Sequence, residues 1–346
     1  MKFYLHSSIS HATLSLRVPL AVSIALEVIS GLQITHLILK TMTQYSSQDE
    51  TFFFVDLINY ALSYIGEISP TDLFEESNSF IMFIWVLFAI YFSLHIIMLA
   101  FIFISGVLFR HVIHTKLLTF LAWSYLVHTK AIFFIAHFLF MGVIKSYNNC
   151  TLEGSTAFYC KIGWFAPTVL LCILNVSIAI IKEFVLYQVL KNKDTYAVKN
   201  NLFNQIVLLY KGVIIILYFL IQNSTSRAQV CAVMNIFFAL LLLTTTYMKL
   251  PLYNIRVLKT SIAINGIILS FCFLAILQVL GVKKKVLDIV WALVIPLVVK
   301  CTLIVLEIIS SKIINHLSAE NKKIISKENF FICSTAERIN IDTPIK

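Results

Sequence analysis

Residues Trp123 to Phe138 read WSYLVHTKAIFFIAHF, an apolar segment that carries one lysine and two histidines in its middle. The segment belongs to a longer run, 117–143, that is long enough to cross ~30 Å of hydrocarbon as a helix rising about 1.5 Å per residue. An ionised side chain in the middle of such a run is costly unless it faces the protein interior or a wet cavity. Trp123, Lys130 and His137 recur every seven residues, so an unbroken helix would hold them within ~20° of one face, with His128 pointing elsewhere. A lysine at mid-span with a histidine two turns on could line a proton or substrate path, or could make polar contacts inside a bundle.

The whole chain has the same character. Its 346 residues are 59% hydrophobic and only 13% charged, against about half apolar and about a quarter charged in soluble domains. That leaves too little polar surface to coat a water-soluble globule. The sequence predicts an all-α, polytopic transmembrane bundle of eight spans near 17–39, 79–108, 117–143, 166–190, 205–223, 229–248, 257–280 and 287–309. Arg17, Pro19 and Glu27 interrupt the first span. A cleaved signal peptide is the other reading of that end, but the run is too long and Glu27 lies in its middle. Residues 1–312 are expected to form the membrane domain, and 313–346 a short, polar cytoplasmic tail without fixed structure.

Cation placement sets the expected orientation. Lys2, Arg17, Arg110, Lys116, Lys191, Lys193, Lys199, Lys249, Arg256, Lys259 and the tail cations gather on one side if the amino terminus is cytoplasmic. Lys40, Lys145, Lys161, Arg227 and the run VKKKV (282–286) fall on the other. Both termini are therefore expected in the cytoplasm, with the chain spanning either the plasma membrane or an endomembrane. The sequons at Asn149 and Asn223 share the outer face and are candidate glycosylation sites. Cys150 and Cys160 share an outer loop, where they are either a disulfide or two free thiols. In the first outer loop, TFFFVDLINYALSYIGEI (51–68) has apolar clumps too short to span, which suits an interfacial helix or re-entrant piece.

Net charge is +10, yet the cations are scattered along loop edges where anionic lipid headgroups account for them. Nucleic acid is excluded as a partner, and membrane lipid is expected. No zincin, redox, hydrolase-elbow, P-loop or kinase signature is present. The sequence therefore predicts a non-enzyme with no cofactor and no metal site. A lone histidine serving a bilayer-embedded transferase is the residual enzymatic alternative.

Further ionisable residues lie within the spans. Glu27, about 15 Å above the inner end of the first span, and Lys300, about 13 Å above that of the last, share a depth and differ in sign. An interhelical pair between them is possible on those grounds, with a role in fixing helix order or in marking a polar patch. Pro296 releases the carbonyl of Ala292 and is expected to bend the last span one turn before Lys300. Lys211 lies deep in the fifth span and requires a partner.

Several short stretches go beyond composition: YAVKNNLFNQIVLLYKGVIIILYFL (196–220), YMKLPLYN (247–254), VWALVIPLVV (290–299) and LEVISGLQ (26–33). Together they resemble a large family of ciliate multi-spanning membrane proteins related to the tiny macrocysts proteins of social amoebae. The family's aromatic–lysine pair is matched by Tyr210 and Lys211, and its proline–aromatic–asparagine turn by Pro251, Tyr253 and Asn254. Its last-span proline is matched by Pro296, and its first-span Glu–Gln pattern by Glu27 and Gln33 at looser spacing. Many members continue into PAS-type sensory domains, so the resemblance implies a sensory, signalling or scaffolding module with a cytoplasmic protein partner. This chain departs from that pattern in two places. SAENKKIISKEN (318–329) is too polar and short for a PAS core, so a stand-alone module or a truncated product is expected. The arginine- and serine-rich loop expected before the fifth span is reduced to KNKDTYAVKNN (191–201).

The alternative function is a secondary transporter or channel whose polar path is lined by Glu27, Lys130, His137, Lys211 and Lys300. Against it, the two halves of the chain show no convincing repeat. A seven-span receptor is opposed by the even span count and by the lack of an Asp-Arg-Tyr-like triplet after the third span. Ligand, oligomeric state and organelle leave no mark in the sequence.

Overall fold

A computed structural model describes residues 19–45, 78–104, 120, 123–153, 161–181, 202–221, 223–249, 255–282, 286, 289–290, 292–308 and 311. Among these the ordered elements are all helical, and seven helices are long and apolar enough to cross a membrane. This is the architecture of an integral multi-pass membrane protein. The helices are α1 (Leu20–Tyr45), α2 (Asn78–Phe103), α3 (Phe133–Glu153), α4 (Ile162–Ile180), α5 (Leu202–Leu220), α6 (Ser224–Lys249) and α7 (Ile255–Val279). A π-helical turn, His128–Ile132, leads directly into α3. Compactness divides the chain into two units, Met1–Lys300 and Cys301–Lys346; residues 292–300 are helical in the first and 301–308 in the second.

Helix ends follow local chemistry. Pro19 precedes α1 directly, at a position where its missing N–H costs nothing. The Asn223 side-chain oxygen Oδ1 accepts the backbone N–H groups of Thr225 at 2.9 Å and Ser226 at 3.4 Å, capping α6. Gly281 closes α7 at φ 86°. Its N–H donates to the Gln278 carbonyl at 3.0 Å, and that of Val282 to the Leu277 carbonyl at 3.1 Å. That is the paired bonding of a helix ended by a left-handed residue, which glycine adopts without strain. The fourth span starts earlier than expected. Its helix runs from Ile162, so Pro167 lies inside it rather than at its first turn.

The bundle is apolar outside and partly polar inside, as hydrocarbon solvent requires. Along α2, the residues Phe83, Leu87, Ile90, Leu94, Ile97 and Phe101 recur at helical spacing and are all exposed, while Trp85, Phe92 and His95 are buried. α1 and the third span are central: 67% of each hydrophobic stretch is buried, against 22% for α2. One core joins α1, α3, α5, α6 and α7 around Phe134, Phe138, Tyr210, Phe238 and Phe271. A second joins α2, α3 and α4 around Trp85, Phe92, Phe140 and Leu171. The third span thus belongs to both. Buried hydroxyls bond to their own helices, as Thr35 does to the Gly31 carbonyl at 2.9 Å and Ser270 to that of Gly266 at 2.9 Å.

Gly31 marks the closest approach of α1 and α7, for a Cβ added there would collide with Cγ2 of Ile264. Small residues at such crossings let transmembrane helices approach until their surfaces interlock. Gly31→Ala is therefore expected to destabilise the solubilised protein by about 1–3 kcal/mol, the usual range for overpacking. The measurement is the thermal unfolding midpoint in detergent, with Ile264→Ala as a second-site change. The double variant should lose less than the sum of the singles, and strict additivity would show that the two helices do not meet there.

Candidate functional site

The site is organised by the π turn. In it the N–H of Phe133 donates to the His128 carbonyl, five residues back, so the hydrogen-bonded turn holds one more residue than that of an α-helix. Carbonyls within the widened turn become available to side chains from neighbouring helices. Gln33 Nε2 of α1 donates to the Ala131 carbonyl at 2.8 Å, and Lys211 Nζ of α5 donates to that of Lys130 at 3.0 Å. Three helices are thereby joined through one local irregularity.

An ionic cluster lies against the same turn. Lys130 Nζ meets Glu27 Oε1 at 2.5 Å and also donates to Asn204 Oδ1 at 3.3 Å. Lys211 is fully buried, donates to Gln33 Oε1 at 3.4 Å, and stands 6.0 Å from the centre of the Phe134 ring. Two unit charges 4 Å apart attract by ~4 kcal/mol at an effective dielectric constant of 20. Removing each ion from water costs several kcal/mol, so the pair holds only where further hydrogen bonds complete both groups. Asn204, Gln33 and the freed carbonyls supply them.

The partners also order the helices. Glu27 and Asn204 meet the Lys130 side chain, whereas Gln33 and Lys211, further along α1 and α5, meet the backbone of the turn. Chain direction therefore rises in the same sense through α1, the third span and α5, as alternate threading of a layer demands. At the far ends, Lys145 of α3 lies 5.9 Å from the Phe219 ring of α5, and Arg227 of α6 lies 5.1 Å from the Tyr218 ring.

The other side of the turn holds a network of histidine, tyrosine and serine side chains. His128 contacts the Tyr91 hydroxyl at 3.2 Å through Nδ1 and the Asn175 carbonyl at 3.3 Å through Nε2. A neutral imidazole that donates from Nε2 and accepts at Nδ1 satisfies both contacts. His95 Nδ1 is 3.0 Å from the Tyr91 carbonyl, and its Nε2 makes a short bond with the Ser124 hydroxyl. Trp85 Nε1 donates to Thr168 Oγ1 at 2.9 Å, tying α2 to α4.

Of the residues singled out from sequence, Glu27, Lys130 and Lys211 come together, and Lys300 does not join them. Lys300 and Pro296 are exposed, and Glu27 takes Lys130 as its partner. His137 diverges from Lys130: it contacts Cys172 Sγ of α4 at 3.7 Å and stacks on Phe133 at 5.4 Å. The extra residue of the π turn is the physical reason, since one inserted residue offsets all later positions by about 100°. Trp123 is half-buried in a small cluster with Leu26 and Leu126. Asn223 is exposed, and its side-chain Oδ1 caps α6. Asn149 and Cys150 lie on the backbone of α3, but their side chains, together with Cys160, Pro251 and Asn254, fall outside the described residues. Asn204, Tyr91, Ser124 and Asn175 were missed; polar residues amid apolar runs were their only signal.

No group of His, Cys, Asp or Glu side chains able to hold a metal ion occurs among the described residues. The cluster offers two ammonium groups, one carboxylate and two amides, so its chemistry is ion pairing and hydrogen bonding. No protein-family model, curated protein or solved structure matches the chain.

Breaking a buried pair leaves an uncompensated charge, while neutralising both partners does not. Glu27→Gln and Lys130→Met are each expected to cost about 3–5 kcal/mol. The double variant should recover most of that loss. Folded yield and unfolding midpoint after detergent extraction give the four corners of the cycle; wild-type behaviour of either single variant would remove the pair from the account.

Proposed function

We propose that this chain is a non-enzymatic sensory, signalling or scaffolding module of the membrane, related to the ciliate family that its motifs resemble. In this reading it is threaded eight times through the plasma membrane or an endomembrane, keeps both ends in the cytoplasm, and works through a cytoplasmic protein partner. One observation carries it: Glu27, Lys130 and Lys211 are sealed from solvent where three parallel helices meet at a π turn. Such a cluster has one fully satisfied arrangement, and any shift of α1 or α5 along the third span breaks several bonds together. Interfaces of this kind tend to hold discrete states rather than deform gradually. A module of this kind can pass a change within the membrane to its loops without chemistry.

A secondary transporter or channel is the second reading, favoured by the composition of the cluster. Two lysines share it with one glutamate, and intramembrane charges often mark ion pathways.

Crosslinking in native membranes, followed by recovery through the 191–204 loop or the tail, separates the two. The signalling reading expects a soluble protein whose capture falls at least several-fold in the Glu27→Gln/Lys130→Met variant at equal expression. Purified chain in liposomes should show no ion current or uptake. Flux abolished by that double variant, with no soluble partner captured, would replace this reading with the transporter.

A further inference from the structure

Beside the ionic cluster, a cavity of ≈410 Å3 lies between α3, α4 and α5. Its size falls in the ~300–1,000 Å3 range of small-molecule sites. The lining is almost wholly apolar, and four of its residues, Ile180, Leu202, Leu209 and Ile216, are exposed on the outside of the bundle. The cavity therefore opens at the side of the bundle, among exposed apolar residues of α4 and α5. An apolar cavity of this kind is not a home for water, which needs several polar partners.

One polar atom in the wall is unmet. His137 lines the cavity and is 3% exposed, and its Nε2 is buried without a hydrogen-bond partner among the described residues. The ring is held in place by its stack on Phe133, at 5.4 Å and 9° between planes, and by the Cys172 contact of Nδ1 at 3.7 Å. Buried polar atoms of native proteins are nearly always bonded, and each exception calls for a physical reason. A hydroxyl both donates and accepts, so it satisfies Nε2 in either tautomer of the ring. Space has also been left at the floor of the cavity: Gly212 lines it, and a Cβ there would meet nothing within 4 Å.

We propose that this cavity is a binding site for a membrane-dissolved apolar alcohol, whose hydrocarbon body fills the space between α3, α4 and α5 while its hydroxyl bonds to His137 Nε2. The site adjoins Lys211 through Gly212 and the π turn through Phe133, so its occupant contacts the helices that carry the ionic cluster. The inference stands on the cavity itself, independent of the signalling reading.

The test is photolabelling of the full chain in liposomes with two diazirine probes, a sterol and a long-chain isoprenoid alcohol, each paired with its deoxy hydrocarbon. A diazirine-acyl phosphatidylcholine reports bulk lipid. At least one alcohol should label peptides from 133–137 or 202–216 saturably and exceed its hydrocarbon by about tenfold, the preference one buried hydrogen bond confers. His137→Phe keeps the ring and its stack and should erase that preference. Gly212→Leu fills the cavity, favours helix, and should abolish labelling by alcohol and hydrocarbon alike while leaving the unfolding midpoint at or above wild type. Equal labelling by alcohol and hydrocarbon, labelling dominated by the phosphatidylcholine probe, or Gly212→Leu protein that labels as wild type would each overturn the proposal.

Discussion

A buried carboxylate and a buried ammonium 2.5 Å apart cannot be separated cheaply in a low-dielectric interior, and here the two groups are 103 residues apart in sequence. Their contact fixes α1 against the third span, and the π turn that accompanies it fixes α5 through Lys211. The carbonyls of Lys130 and Ala131, both in the turn, accept the bonds that Lys211 and Gln33 would otherwise lack. The irregularity and the charges therefore depend on one another. The larger hydrophobic core assembles around this junction, with Phe134 in contact with Lys211 on one side and in the α5–α6–α7 cluster on the other.

Solvent explains why the polar groups lie inside. In hydrocarbon, apolar surface gains nothing by burial, so the exposed stripe of α2 is tolerated and helix association rests on packing and internal hydrogen bonds. The close crossing of α1 and α7 at Gly31, the Tyr210–Asn235 bond of 2.7 Å between α5 and α6, and the Trp85–Thr168 bond between α2 and α4 each join a different helix pair. Each is a directional contact that hydrocarbon cannot replace. The histidine network around Tyr91 does the same for α2 and the third span.

Much of this was legible in the chain. Uninterrupted apolar length located the helices, because a bilayer demands about 20 such residues, and Lys130 stood out as a charge that had to turn inward. Its partner was not legible. Depth matched Glu27 to Lys300 as readily as to any other cation, since sequence gives height along a span but not which spans touch. The π turn in HTKAI carries no proline or glycine to announce it, so seven-residue spacing wrongly grouped Lys130 with His137. The start of α4 was not legible to the residue: the apolar run places it near 166, whereas the helix begins at Ile162 with Pro167 inside it. The cavity was invisible because its walls come from three helices whose contact no local pattern records.

The central claim is that Glu27 belongs to Lys130. Charge exchange tests it most directly: Glu27→Lys with Lys130→Glu, and Glu27→Lys with Lys300→Glu, compared as folded yield in membranes. The account predicts recovery toward wild type in the first and none in the second. Recovery only with Lys300 would contradict it.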